Sequence, residues 1–592
     1  MQNTQNGRSL IHNAVKGTLV SITGYVLIGC QSPLDSHIHE GQIGNITHLL
    51  NDEVSVEEGL SVSIQAVPDD IEEPLVSRMG ELNTITPITK DLSWPSEITT
   101  SLNNEPLGTT TITVEEAVQS AIANNLDLEL AKLEPAISKQ AEIQAEAVFD
   151  YLFAASATQR GVQLPQQQTV VGGIPTGVTE VKSSVQAYEA SLAKKLTTGG
   201  LLTFSTDVTG THTKTTGVNV TPDPSWETVG SIDFRQPLLR GFGEKVVTSE
   251  VQLAKNASDK AIQEFRQSLH ETITNTETAY LQLALQWRTL QVQEWLLEQG
   301  ESVVEILELR RAYDTSEADY AQAVATVKQR AADVISQQAV VQNASDALKI
   351  LINSPELPIE STVVIRPTGT IEVADVLLSL RETIISAVQN RPDLQVLKLS
   401  VDDQIIKVRV AKNETLPQLD LQAQLSSYGL DSGVGNAYSE VFDGDYLNHL
   451  VGLSFEQPVG NRMADANYTS SRLSRIAAIT SYNKGLQRAI AEVKDAMRNV
   501  ATNAELISAN TSYRIAQAEN LRALLVEEET LSGLTPTFLN LKLQTQSGLA
   551  NARIAEFTAT VNFNISLAAL YLASGTTLEM HQISIDDAML AE

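Results

Sequence analysis

Two long tracts carry the clearest hydrophobic pattern in the chain. Leu269, Ile273, Thr276, Tyr280, Leu283, Trp287 and Leu290 step by four and three alternately, and Leu486, Ile490, Val493, Met497, Val500, Ala504 and Ile507 do the same. A mean repeat of 3.5 residues predicts helices that supercoil on partners. Each tract is interrupted near its middle, at Tyr313-Asp314-Thr315-Ser316 and at Ser532-Gly533-Leu534-Thr535-Pro536. The pattern therefore predicts two antiparallel hairpins of long helices, at about 244–352 and 464–573. At about 1.5 Å per residue such rods outrun a globular domain and need neighbours to bury their seams.

Between the helical tracts the period changes from about 3.6 to 2. Leu202, Phe204, Thr206 and Val208 alternate with Thr203, Ser205 and Asp207 after the turn Thr197-Thr198-Gly199-Gly200, and a strand beginning near Val185 ends at Lys194-Lys195. Further on, Leu419, Leu421, Ala423 and Leu425 alternate in one strand and His449, Val451, Leu453 and Phe455 in another. Strands are expected at about 148–238 and 417–458, with the Gly/Ser/Asn/Asp-rich stretch Gly429 to Gly444 read as loop. Thr113 and Glu116 form a capping box that opens a helix with its apolar stripe at Val118, Ile122, Leu126 and Leu130.

The order helix, strands, long helices occurs twice. Ser120 to Leu128 (Ser-Ala-Ile-Ala-Asn-Asn-Leu-Asp-Leu) returns as Ser386 to Leu394 (Ser-Ala-Val-Gln-Asn-Arg-Pro-Asp-Leu), and Ser231 to Leu238 returns as Gly452 to Val459. An internal duplication follows, with a first repeat at 111–375 and a second at 376–575, then a tail at 576–592. The repeats differ in length: 107 positions separate Asp127 from Phe234, but only 62 separate Asp393 from Phe455. The surplus includes the Thr197 to Gly200 turn and its flanking strands, one extra hairpin.

The front end has a different character. Arg8 and Lys16 precede a short apolar run, Thr18 to Gly29, that is right for a signal-peptide core, and the run ends at Cys30, the chain's single cysteine. Residues 1–29 read as a lipoprotein leader, because Leu27-Ile28-Gly29-Cys30 resembles a lipobox and would make Cys30 the site of lipid attachment. Residues 30–110 are acidic and dotted with proline, which predicts a mostly disordered tether. The formal net charge of -31 speaks against nucleic acid as a partner. No other stretch looks long and apolar enough for a membrane helix. A membrane crossing would then require a closed β-barrel, since lipid offers backbone groups no partners.

These features together resemble the TolC-type outer membrane efflux family over about Thr111 to Ser574. The residues that carry the resemblance are the paired Asn-Asn-Leu-Asp and Asn-Arg-Pro-Asp-Leu starts, Phe234 to Gly243 (Phe-Arg-Gln-Pro-Leu-Leu-Arg-Gly-Phe-Gly), and Phe455 to Gly460 (Phe-Glu-Gln-Pro-Val-Gly). The resemblance implies an α+β membrane protein: a homotrimer whose strands share one transmembrane β-barrel, continued by a long periplasmic α-helical barrel. It also implies a periplasmic adaptor protein, an inner-membrane pump and outer membrane lipids as partners, and a seat in the outer membrane of a Gram-negative-type bacterium.

Several sites follow as expectations. Proline cannot donate to a strand ladder and suits a helix start, so Gln236-Pro237 and Gln457-Pro458 mark the barrel-to-helix junctions. By position, the docking tips are Asp314, Thr315 and Ser316 and Gly533, Leu534 and Thr535. The aspartates with which some members of that family close the tip, just after the second turn, are not carried over, because the matching stretch reads Phe538-Leu539-Asn540-Leu541-Lys542. Glu317, Asp319, Glu527, Glu528 and Glu529 stand nearby and could form an acidic constriction. The extra hairpin would give six strands per chain instead of the family's usual four, eighteen in a trimer. No phosphate loop, nucleophile elbow or metal-ligand spacing occurs, so no catalytic residue, cofactor or metal is expected. The rival reading is a coiled-coil structural or adhesive outer membrane lipoprotein that forms no pore.

Overall fold

The computed structural model describes residues 60–62, 73–86, 107–165, 169–172, 174–176, 180–214, 221–312, 315–369, 371, 376–530 and 535–583. The leader, Cys30, Asp314, Gly533 and Leu534 lie outside these residues, as do most of the stretch read as a tether and the end of the tail. The chain divides into two compact units, one built from 137–259 and 398–480, the other from 41–136, 260–397 and 481–592.

The first unit is a six-stranded antiparallel sheet. Its strands are β3 (Tyr151–Pro165), β6 (Glu180–Lys195), β7 (Leu201–Lys214), β8 (Ser225–Pro237), β11 (Gln418–Asp431) and β12 (Leu447–Glu456), in the order β12-β11-β8-β7-β6-β3. A small hairpin, β4 (Thr169–Val171) with β5 (Ile174–Thr176), lies between β3 and β6 in sequence. The extra hairpin expected from the sequence is therefore the pair β6 and β7, set between β8 and the edge strand β3. The turn Thr197 to Gly200 joins them, with Gly199 at φ 95°, a conformation that favours glycine.

The second unit packs long helices around short β pairs. After α1 (Glu73–Val76) and α2 (Met79–Ile85) come α3 (Val114–Asn124), α4 (Leu126–Glu146), α5 (Glu244–Val247), α6 (Ser249–Arg310), α7 (Glu317–Ile352), α8 (Leu380–Asn390), α9 (Pro392–Glu414), α10 (Val434–Asp443), α11 (Arg462–Thr530), α12 (Pro536–Ser574) and α13 (Thr577–Met580). Of these, α5, α10 and parts of α4, α6, α9 and α11 belong to the strand unit. The seam residues of α6, from Leu269 to Leu290, are all buried, as are Leu486, Val493, Met497, Val500, Ala504 and Ile507 of α11. Trp287 packs with Tyr280, Leu283 and Leu290 against Val341, Leu348 and Ile352 of α7. Its indole N–H donates to Ile365 O at 2.9 Å, while Tyr280 Oη donates to Ile112 O and Thr368 O. Burial pushes the Tyr280 hydroxyl up to about 12, so it remains a donor.

These partners of Trp287 and Tyr280 sit on or beside two parallel strands, β2 (Thr109–Ile112) and β9 (Val364–Pro367). A second short pair joins β1 (Leu60–Val62) to β10 (Val376–Leu378), antiparallel. The acidic 30–110 stretch is thus not uniformly without structure. Besides β1 and β2, Leu82 of α2 is fully buried among Ile515, Ala518, Leu521 and Leu549.

Three further expectations are corrected. The stripe Val118, Ile122, Leu126, Leu130 does not run through one helix. Asn125 is extended and its Oδ1 accepts from Leu128 N, so the chain re-phases, burying Leu128 and leaving Leu126 and Leu130 exposed. The stretch 429–444 is not simply loop: β11 continues to Asp431, and 434–443 form α10, closed by Gly444 in the left-handed region. Finally, Thr537–Ser574 is long and apolar enough, by composition, to cross a membrane. In this fold its Leu543, Leu549, Phe563 and Leu570 are buried in helix cores, the ordinary place for such residues in a bundle.

The two similar segments that begin near Ser120 and Ser386 make matching contacts. Ser120 Oγ donates to Ile352 O at the end of α7, and Ser386 Oγ to Ser574 O at the end of α12, at 3.2 and 3.4 Å. Asn124 and Asn390 each donate back to that serine hydroxyl. The repeated Ser-Ala-x-x-Asn motif is therefore a clasp between a start helix and the returning long helix.

Candidate functional site

The register of the sheet sorts its side chains onto two faces. On one face lie Tyr151 and Phe153 of β3, Tyr188 and Leu192 of β6, Phe204 and Val208 of β7, Ile232 and Phe234 of β8, Leu421 and Leu425 of β11, and Val451, Leu453 and Phe455 of β12. On the other lie Ser156, Glu189, Asp207, Glu227, Asp233, Arg235, Asp420, Gln422 and Gln424. A water-soluble sheet buries its apolar face, yet Phe153, Leu453 and Phe455 are 69%, 69% and 66% exposed. Such a surface fits contact with lipid on one side and water on the other. The two outermost strands, β3 and β12, are exposed along nearly their whole length. Because five antiparallel pairings separate them, β3 and β12 run in opposite directions.

The two Gln-Pro junctions are built differently. Pro237 closes β8, and Gln236 is buried: its amide donates to Thr198 O and Pro237 O at 3.1 and 2.9 Å, and its carbonyl accepts from Thr198 Oγ1 at 2.9 Å. Gln236 thus ties the strand end to the β6–β7 turn. Gln457 is exposed and donates to Pro458 O at 3.4 Å. Neither proline begins a helix as expected: α5 starts at Glu244 and α11 at Arg462, after glycines with positive φ at Gly241, Gly243 and Gly460. Behind the first junction Arg235 meets Asp420 at 2.6 Å, Gln418 donates to the same carboxylate, and Arg240 bonds Gln418.

At the helix turns, Ser316 and Thr535 occupy matching places as N-caps. Ser316 Oγ accepts from Asp319 N at 3.1 Å and Thr535 Oγ1 from Phe538 N at 3.2 Å, with Pro536 in the first turn of α12. Thr315 stands just before its cap. Two of the acids around the turns, Glu317 and Glu528, have cationic partners. Arg311 grips Glu317 through two hydrogen bonds of 3.0 and 2.8 Å and stacks over Tyr320, and those bonds hold the Glu317 carboxyl below its usual range. Ser316 Oγ also donates to Asp319 Oδ2. Glu528 pairs with Lys542 at 2.6 Å, both largely buried. Glu527 is also partnered, and of Glu529 only the helical backbone is described. Lys542 thus neutralises one of the candidate acids.

Sequence reasoning missed the cations inside the helical unit. Arg330, 3% exposed, donates to Leu296 O, Leu543 O and Ser547 Oγ at 2.7, 2.8 and 3.0 Å, and burial lowers its pKa to about 10. Gly300 makes room for it, since a Cβ there would stand 2.8 Å from Arg330 Nη1. Arg288 and Arg553 stack on Phe557, and Glu556 holds Arg514 at 2.9 Å as well as Arg553. The signal in sequence is faint: a glycine in a helical tract, at a position where only a large neighbour explains it.

Comparisons with known proteins agree with this architecture. Residues 383–576 match the profile of a family described as Outer membrane efflux protein. No curated protein sequence matches the chain. Among solved structures, the Neisseria gonorrhoeae MtrE outer membrane channel in its open state has a TM-score of 0.55 at 16% identity, covering 87% of this chain and 98% of its own. The Campylobacter jejuni CmeC outer membrane channel gives 0.56 at 14%, covering 85% and 99%. The outer membrane protein VceC of Vibrio cholerae gives 0.54 at 16%, covering 78% and 96%. At these identities the likeness is one of fold, and it spans nearly the whole of each neighbour. Over residues 383–576 the chain is thus similar to the outer membrane efflux protein family, and as a whole it has the fold of the TolC-type outer membrane channels.

Proposed function

We propose that three copies of this chain join their sheets into one eighteen-stranded barrel and act as the passive exit duct of a tripartite efflux or secretion system. The observation that carries this reading is the six-stranded sheet with an apolar face, a polar face and two edges that no described strand pairs with. Six strands cannot close a barrel, since the smallest closed forms need about eight, and open edges are not tolerated in lipid. Because β3 and β12 are antiparallel, the β12 edge of one copy can accept the β3 edge of the next without breaking the alternation. Eighteen strands fall in the size range that leaves an aqueous channel. The carboxylates Glu189, Asp207, Glu227 and Asp233 would then line the lumen and favour cations over anions.

The helical hairpins would prolong the duct into the periplasm, with the turns at Ser316 and Thr535 meeting an adaptor protein and an inner-membrane pump supplying the energy. Cys30 would carry the lipid anchor. The acidic constriction is weakened as a gate by the Arg311–Glu317 and Glu528–Lys542 pairs, which leave less net charge at the turns than the sequence suggested. The test is reconstitution of the purified protein in planar bilayers beside heat-dependent migration on a gel. Stepwise conductance from a heat-dissociable trimer supports a duct. A protein that stays oligomeric and rod-like without conductance supports the coiled-coil lipoprotein instead.

A further inference from the structure

The ten-residue helix α10, between β11 and β12, packs on the apolar face of the sheet. Tyr438 Oη and Thr206 Oγ1 are 3.0 Å apart, and Ser427 Oγ donates to Val441 O at 2.8 Å. Thr206, Ser427, Gly230 and Gly429 share the face of Phe204, Leu425 and Ile232 by register. The two glycines form the bed: a Cβ on Gly429 would overlap the Ala437 carbonyl, and one on Gly230 would stand 3.1 Å from Val441 Cγ1. Glu440 fixes the helix by accepting from Leu430 N at 2.9 Å. So α10 lies on the side opposite Asp207, Asp233 and Gln424, and in a barrel that side is the outside.

Its height is set by counting. A transmembrane strand spans the hydrocarbon core in about 9–11 residues. Counted from Gln418 at the junction, that length ends near Ser427 and Tyr428, where α10 sits. Ala437, Tyr438 and Val441 face the sheet, while Phe442 is 85% exposed and is followed by Tyr446 and Leu447 at 61% and 55%. Asn436 and Ser439 are exposed on the remaining side. Aromatic side chains at this level, with polar groups beside them, match what the boundary between acyl chains and headgroups selects.

We propose that α10 is an interfacial strap on the outside of the barrel wall, its partner the acyl-to-headgroup boundary of the outer leaflet, with Phe442 as its main anchor. The inference rests on the proposed barrel, in which the apolar face meets lipid. Spin labels at Phe442→Cys, and separately at Tyr446→Cys, in a Cys30→Ser background in lipid nanodiscs, test it. Controls are Val451→Cys on the apolar face and Gln424→Cys on the polar face. Relaxation by oxygen several-fold above that by a water-soluble nickel chelate at 442 and 446, as at 451 and opposite to 424, supports the strap. Nickel-dominated relaxation at 442 and 446 with a lipid-exposed 451 overturns the strap and leaves the barrel standing. Poor access of both reagents at those two sites, with 451 lipid-exposed, overturns it in favour of contact with a neighbouring copy. A water-exposed 451 overturns the barrel reading and the strap together.

Discussion

The sheet unit and the helical unit use the same apolar side chains in opposite ways. In the helices Trp287, Leu283, Val493 and Phe563 are almost wholly buried, whereas in the strands Phe153, Leu453 and Phe455 are about two-thirds exposed. The helical seams find their partners within one chain. Outside the ground that α10 covers, the strand face stays exposed, and its two edges have no strand partner among the described residues, as the proposed barrel requires. The contrast predicts that substitutions of like chemistry have unlike costs in the two units.

The largest effect is expected in the helical seam. Trp287→Ala removes a fully buried indole and strands the Ile365 carbonyl, and should cost about 3–5 kcal/mol in thermal or denaturant unfolding. Phe455→Ala should lower stability far less in detergent; an equal loss would break the comparison. On the strand face, Leu453→Arg should cost about 2–4 kcal/mol when folding is measured into bilayers, falling towards the membrane surface. If Leu453→Arg folds as well as Leu453→Ala, that face does not meet lipid.

Gly300→Ala sharpens the helical side. It forces Arg330 and Val327 to move, with an expected loss of about 1–3 kcal/mol in the unfolding midpoint, and Arg330→Met in the same chain should recover part of it. Between the junctions, Gln236→Ala should cost about 1–3 kcal/mol by freeing the β6–β7 turn, while Gln457→Ala stays within about 0.5 kcal/mol in the isolated chain. The smallest effect concerns His270, which burial, reinforced by Arg266, lowers to about 4 from 6.5. A lowered pKa means the unfolded chain takes the proton first. His270 therefore contributes full stability above pH 6.5, lost progressively as pH falls towards 4. His270→Gln should flatten that part of the stability profile, measured against the parent chain.

How much was legible in the sequence follows from what each feature depends on. The α6 and α11 seams could be read because a 3.5-residue repeat is a property of one helix and its burial follows. The alternations at 202–208, 419–425 and 449–455 were equally local. The clasp at Ser120 and Ser386 was visible as repetition, although not as a pair of hydrogen bonds to Ile352 and Ser574. What stayed hidden depends on distant residues. Strands β1 and β9 are three and four residues long and exist only through partners far away in the chain. Arg330 looks like a surface cation until Gly300 opens a place for it. Gln236 and Gln457 look equivalent, yet only the first repeat has a hairpin turn for its glutamine to hold. The stretch 429–444 is rich in loop formers, and only the glycine bed on β8 and β11 gives α10 a surface to fold on.

The most direct test of the central claim is an electron cryomicroscopy map of the full chain in lipid nanodiscs, at a resolution that separates strands. The expected result is a threefold ring of eighteen strands, with β12 of each copy paired to β3 of the next and β6 and β7 in the wall. A ring from which β6 and β7 are missing, or a particle whose sheet edges stay unpaired, would contradict it.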